Sequence, residues 1–270
     1  KTAADLTKRQ LYAVRRLKNV LLKCFEMIRK QFTESEFEPI GYEIVFSDES
    51  IGCIEIELKC GEKLKLTGKI DRADAYETAD GRYIRIIDYK TGHKKFSLYD
   101  VAYGLDIQLP VYLDALVGSS EKNKYGGAFF FTLDDFMLEA DHDESDEKIA
   151  EKRDNAMKLK GIIIDRKDVL DAFEKSTVAR NTNKTSDEQF RTLGKYLKKT
   201  IADAWMRLLG GDIEMNPYLR GGQTPCTYCP YHSVCRFDDG RSGNSYNRLV
   251  SMKNEQTWKY IKGELSNVDE

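Results

Sequence analysis

No window of this chain approaches the roughly 20 consecutive apolar residues that a bilayer-spanning helix needs, so a transmembrane segment is excluded from the reading. Its start lacks the basic stretch, apolar run and small-residue cleavage site of a signal peptide. Net charge is nearly absent as well: 43 Lys and Arg stand against 45 Asp and Glu, a formal −2, so global charge announces no polyanionic partner. Six cysteines in 270 residues, three of them crowded into one C-terminal stretch, do not make a disulfide framework and point instead to metal. A soluble, cytoplasmic protein in a reducing compartment is the expectation. Internal repeats and low-complexity segments are lacking too. The first residues, Lys1-Thr2-Ala3-Ala4-Asp5, include no initiating Met, which reads as a piece of a longer protein.

What is present suits one large domain, or one domain with a helical annex. Hydrophobic residues make up 41% of the chain, enough for a real core. Residues 1–33 hold nine Lys or Arg against Asp5 and Glu26, and residues 134–151 hold nine acids against Lys148; such runs are ordinarily solvated faces. Leu11, Val14, Leu17, Leu21, Phe25 and Ile28 recur every three or four positions, predicting a long amphipathic helix over residues 6–32 with a basic outer face. Pro39 closes it. Strands are expected at residues 40–46, 54–58 (Ile54, Ile56 and Leu58 alternating with Glu55 and Glu57) and 64–70. Asp80-Gly81 is a hairpin signal leading into a strand at residues 83–88. A helix over 98–117, kinked at Pro110, precedes a short buried strand at 127–131. Helices near 149–159, 169–173 and 190–209 follow. The fold class expected is α/β, a mixed sheet flanked by helices with further helices toward the C-terminus. The domain plan is a basic helix (1–36), a core (37–135), a helical extension (136–215) and a cysteine-containing segment (216–270).

Chemistry concentrates on Asp88-Tyr89-Lys90. Side chains two apart on a strand share a face, so Asp88 and Lys90 point with Ile84 and Ile86, and that face turns from apolar to charged as the strand leaves the core. Alone, this triplet is common and reads first as an ordinary ion pair. Seventeen residues upstream, Gly68-Lys69-Ile70-Asp71-Arg72 places Asp71 at the end of the preceding strand, beside Asp88. Two carboxylates held together repel unless a cation lies between them, and hard oxygen ligands favour Mg²⁺ or Mn²⁺ over zinc. The lysine would orient water and neutralise charge building on a phosphate. Gln108 and Tyr112, four apart, share one face of the next helix.

Gly68-x-Ile70-Asp71-Arg72, then Ile87-Asp88-Tyr89-Lys90-Thr91-Gly92, then Gln108-x-x-x-Tyr112 resemble the nuclease domain of RecB-type exonucleases within the PD-(D/E)XK superfamily, and among these the AddB type. The stretch Phe37-Glu38-Pro39-Ile40-Gly41-Tyr42-Glu43 and Gly127-Ala128-Phe129-Phe130-Phe131 share the likeness. The resemblance implies a restriction-endonuclease-like core, Asp71 and Asp88 as metal ligands, the Tyr89 carbonyl as a further metal contact and Lys90 as catalytic lysine. Gln108 and Tyr112 would position the scissile strand or brace the lysine. It also implies DNA as substrate, recombinational repair and an AddA-like helicase–nuclease partner.

Cys226-Thr227-Tyr228-Cys229 and Cys235 put three thiols within ten residues, a spacing suited to a soft or borderline metal. By resemblance they are three ligands of a four-iron iron–sulfur cluster acting as a staple, whose fourth cysteine, like a metal-binding His, would lie upstream; Cys24, inside the predicted helix, does not match. Zinc on Cys226, Cys229, His232 and Cys235, or free thiols, are the other readings. Cys53 and Cys60 read as isolated small residues. Two rivals to a metal-dependent DNA (exo)nuclease stay open: a DNA-clamping scaffold without cleavage, and a freestanding or CRISPR-associated exonuclease of the same superfamily.

Overall fold

The computed structural model describes residues 7–47, 54–92, 94–133, 145–241 and 243–266. A long helix α1 (Lys8–Thr33) opens on a capping box, Thr7 Oγ1 accepting from the Gln10 N–H and the Gln10 side chain accepting from the Thr7 N–H. Then follow β1 (Glu38–Phe46), β2 (Ile54–Glu57), β3 (Lys63–Leu66), β4 (Gly68–Thr78), β5 (Gly81–Lys90), α2 (Leu98–Ala102), α3 (Gln108–Gly118), β6 (Asn123–Thr132), α4 (Asp146–Met157), β7 (Lys160–Ile164), α5 (Lys167–Asp171), β8 (Asn183–Thr185), α6 (Asp187–Leu209), β9 (Tyr218–Leu219), α7 (His232–Cys235), β10 (Asn247–Arg248) and α8 (Asn254–Ser266). Six strands form one mixed sheet in the order β1-β4-β5-β6-β7-β8. Its β5–β6 and β7–β8 pairs are parallel and the others antiparallel. The expected α/β class with a mixed sheet and flanking helices is the one observed.

The chain forms two compact units. The first holds the six-stranded sheet with α1, α3, α4 and α5. Its central strands are covered on both faces, so Tyr83 to Asp88 and Tyr125 to Thr132 are buried continuously rather than alternately. On one face, Arg72 and Asp74 of β4 and Arg85 of β5 form a fully buried charged network. Arg72 donates twice to Asp74, at 2.7 and 2.6 Å, and once to Gln31 of α1 at 2.9 Å. Arg85 donates to Asp74 at 2.8 Å and to Glu174 at 2.7 Å. Phe32 lies against the Arg72 guanidinium, 4.3 Å from ring centre to Cζ. This network docks the last turns of α1. The second unit holds α2, the later turns of α6, the cysteine segment and α8; there Arg220 pairs with Asp100, and Tyr103 stacks at a tilt on Tyr260, 5.7 Å between ring centres.

Several expectations change. In α1, Cys24, Met27 and Gln31 are buried, whereas Val14, Leu17, Leu21 and Phe25, read as the inward stripe, are exposed among the described residues. The helix predicted over 98–117 is two helices: Gly104 and Asp106 have positive φ (76° and 51°) and end α2, and Pro110 sits in the first turn of α3, where its missing N–H has no acceptor to lose. The strand predicted for 64–70 is two, β3 and β4, and β4 runs on to the hairpin at Gly81. Asp71 therefore lies near the start of its strand, not the end. The apolar run Gly161-Ile162-Ile163-Ile164, unassigned above, is β7. Cys53, His93, His142, Asp5 and most of the acidic run (134–144) lie outside the described residues.

Candidate active site

β4 and β5 pair from Thr78↔Gly81 at the turn to Arg72↔Ile87, where the ladder stops. One step further on, Asp71 and Asp88 face each other on the side of the sheet opposite the buried arginines. Asp71 Oδ2 accepts the Tyr89 N–H at 2.8 Å, so the carboxylate itself satisfies backbone where the strands part. Lys90 Nζ lies 2.7 Å from Asp88 Oδ2, with the lysine about one-third exposed and the aspartate nearly buried. Gln108 Nε2 donates to Asp88 Oδ1 at 3.3 Å. Burial pushes the Asp88 carboxyl above the usual carboxylate range; Lys90 opposes the rise, and the charge of Asp71 adds to it.

Tyr112 stands elsewhere from Gln108. Its hydroxyl and ring lie over Gly68, where an added Cβ would come within 2.3 Å of Tyr112 Oη, and its ring centre is 5.7 Å from that of Phe46. The structure thus gathers Asp71, Asp88, Lys90 and Gln108 at one point, while Tyr112 packs on the first residue of β4 and fixes where that strand begins.

Comparison with known proteins shows the family. Residues 1–236 match the model of the PD-(D/E)XK nuclease superfamily. The chain belongs to that superfamily. Three curated relatives are each named as the B subunit of an ATP-dependent helicase/deoxyribonuclease. The protein of Caldanaerobacter subterraneus subsp. tengcongensis is 36% identical over 280 residues, and that of Clostridium acetobutylicum 35% over 280, each covering 96% of this chain. That of Thermoanaerobacter sp. (strain X514) is 34% identical over 276 residues, 94% of this chain. The chain spans about a quarter (24%) of the length of each of these relatives.

PD-(D/E)XK nucleases generally use divalent metals, and the donor set at Asp71 and Asp88 fits one. Asp88 Oδ2 pairs with the Lys90 ammonium at 2.7 Å, and a carboxylate oxygen can share its remaining lone pair with a cation. Two carboxylates and a neighbouring backbone carbonyl suit a hard ion that completes its shell with water and phosphate oxygens. The cysteines behave differently. Cys226 lies in a short 3₁₀ turn capped by Thr224, and Cys235 ends α7, its sulfur 3.3 Å from that of Met215. Cys229 and Cys235 are exposed. Among the described residues no group of three or more His, Cys, Asp or Glu side chains stands ready to hold a metal ion.

Sequence reasoning overlooked the cations beside the carboxylates. Lys94 shares the ring of Phe130 with Lys90, their Nζ atoms 5.8 and 5.9 Å from its centre, and Phe96 lies 6.5 Å from the same ring. The Lys94-Lys95 pair, one residue past the Asp88–Gly92 motif, was the available signal.

Proposed function

We propose that this chain is a divalent-metal-dependent deoxyribonuclease domain that hydrolyses phosphodiester bonds of single-stranded DNA. The observation that carries the reading is the convergence of Asp71, Asp88 and Lys90 at the point where β4 and β5 part, in a chain of nuclease family. Asp71 and Asp88, with the Tyr89 carbonyl, would hold Mg²⁺ or Mn²⁺, which when bound supplies Lewis-acid charge neutralisation at the scissile phosphate. Lys90 keeps its ammonium partly in solvent and within reach of the same place, so it orients the attacking water and offsets charge on the phosphate. Gln108 holds the Asp88 carboxylate through Oδ1, and Oδ2, which pairs with the Lys90 ammonium, would be shared with the ion. Tyr112 acts through Gly68, setting the start of β4 and hence the position of Asp71. The relatives' name extends the proposal: within a helicase–deoxyribonuclease the domain would degrade one strand as an exonuclease during double-strand-break repair and recombination, beside an AddA-like partner. By the same likeness, Cys226, Cys229 and Cys235 would supply three ligands of an iron–sulfur cluster in the longer protein.

The test is cleavage of single-stranded DNA with Mg²⁺ or Mn²⁺ by the parent chain and by Asp88→Ala and Lys90→Ala. Removing either group is expected to lower the rate by about a hundred-fold or more, with circular dichroism unchanged. A parent that cuts no better than its variants sinks the proposal.

A further inference from the structure

The sheet face that carries the carboxylates continues past them. In register, Asp88 pairs with Phe130 of β6, and Phe130 pairs with Lys160 of β7. Paired residues project to the same side, so Asp71, Asp88, Phe130 and Lys160 stand in one row across β4, β5, β6 and β7. Lys90 and Lys94 lie over the Phe130 ring in the middle of that row. At its far end is a cavity of about 200 Å³, lined by Lys95, Phe96, Lys160, Asn181, Thr182 and Asn183. Among the described residues no acidic side chain lines it.

Lys160 is half-buried and donates to the Ala156 carbonyl at 2.8 Å. Burial, and then the charge of Lys95, push its ammonium below the usual lysine range. Two like charges beside one half-buried cleft oppose each other, and a bound anion would relieve both. The cleft also offers side-chain amides and the ring of Phe96, an aromatic group against which a base can stack. Two strand spacings of about 4.8 Å separate Lys160 from Asp88. At about 3.4 Å of rise per stacked nucleotide, that is a walk of roughly three nucleotides, fewer in a stretched strand.

We propose that this cleft is a phosphate subsite for the single-stranded DNA, in which Lys95 and Lys160 grip a backbone phosphate one to three nucleotides from the cleaved bond, with Phe96 against the adjoining base. The idea rests on the nuclease reading and adds where the strand runs: from the carboxylates over Phe130 toward β7 and β8.

The experiment uses a fluorescent oligodeoxynucleotide of about 12 nucleotides, within the range of single-strand binding grooves, in chelator between about 50 and 200 mM salt. Binding by anisotropy is compared for the parent, Lys95→Ala, at an exposed residue, and Lys160→Gln, whose amide keeps a donor for Ala156. Each variant is expected to weaken binding and to reduce the slope of log affinity against log salt by about 0.7, the loss of one single-strand phosphate contact. Oligonucleotides with one uncharged methylphosphonate linkage then locate the contact: one linkage position weakens the parent but adds nothing in Lys95→Ala. Adding Mg²⁺ to the same samples reads cleavage separately. A parent that cuts, with slopes and linkage sensitivity unchanged in both variants, overturns the subsite and leaves the nuclease reading standing. A parent that neither binds nor cuts overturns both, whereas one that binds with the expected slopes but never cuts overturns the nuclease reading alone.

Discussion

At the scale of single residues, Asp88 meets two opposed demands. Its place at the end of a buried strand disfavours ionisation, yet holding a cation requires the carboxylate. Its carboxyl is raised, by burial first, so the folded chain binds this proton more tightly than the unfolded chain, whose group titrates near 3.8. The group's contribution to stability is therefore complete below that value and is lost as pH rises through the higher folded value. Without metal at pH 7, Asp88→Asn removes the cost of the buried charge. Its thermal midpoint is expected to exceed the parent's at pH 7 and to converge on it below pH 4, as followed by circular dichroism; a variant less stable than the parent at pH 7 would show that the Lys90 contact outweighs burial. Gly68 makes a second residue-scale case. A methyl group there would meet the Tyr112 hydroxyl and ring, so Gly68→Ala should displace Tyr112 and cost about 1–3 kcal/mol by overpacking, read by urea denaturation, with Tyr112→Leu restoring part of the loss. That Asp88 and Lys90 share a face and that Asp71 lies beside Asp88 was legible in sequence because strand period and hairpin pairing are local rules. The contact of Tyr112 with Gly68 was not, since a helical i,i+4 pair implies a shared face and not separate partners on two strands.

Among the elements, β4 and β5 carry different chemistry on their two faces, and the buried face explains why α1 is present. Arg72 is the second residue of the Asp71-Arg72 pair, and the same alternation that sends Asp71 to the site sends Arg72 to Gln31 and Phe32. Arg72→Ala would leave Asp74 with Arg85 alone and remove the Gln31 contact, at a cost of about 3–5 kcal/mol, the usual penalty for breaking a buried ionic network from one side. Arg72→Lys should recover little, because an ammonium cannot reproduce the paired donors of the guanidinium. Equilibrium denaturation checks both; a loss under about 1 kcal/mol for the alanine variant, well below that penalty, would mean the network is not what docks α1. Periodicity found α1 but assigned its inward face to the apolar stripe, because a hydrophobic pattern cannot report that a glutamine accepting from a buried arginine will be fully enclosed. It likewise left β7 unassigned, since periodicity alone cannot tell a short apolar run that is a buried strand from a buried helix segment. The α2–α3 break depended on positive φ at Asp106, which sequence signals weakly outside glycine.

For the whole molecule, a net charge of −2 conceals how charge is distributed. Asp71 and Asp88 confront each other beside Lys90, with Lys94, Lys95 and Lys160 further along the same face, an arrangement that would gain stability on binding an ion whether or not hydrolysis follows. A cation that binds the folded chain alone stabilises it by RT ln(1 + [L]/Kd), about 2.7 kcal/mol at a hundred-fold excess over Kd. For a chain of this size that is a rise of roughly 5–10 °C in thermal midpoint. Because the chain comprises two compact units and both carboxylates lie in the first, any separable second transition should stay in place as the first moves. Calorimetry with Mg²⁺ or Mn²⁺ is therefore expected to shift the parent, but not an Asp71→Asn/Asp88→Asn chain. Since this readout needs no substrate and no partner protein, it separates ion holding from hydrolysis. A parent that cuts DNA with metal yet shows no shift would mean that the phosphate completes the ion's site, consistent with the preference of Mg²⁺ for carboxylates together with substrate oxygens. A shift that persists in the doubly substituted chain would instead place the ion away from β4 and β5 and remove the basis for assigning Asp71 and Asp88 to it.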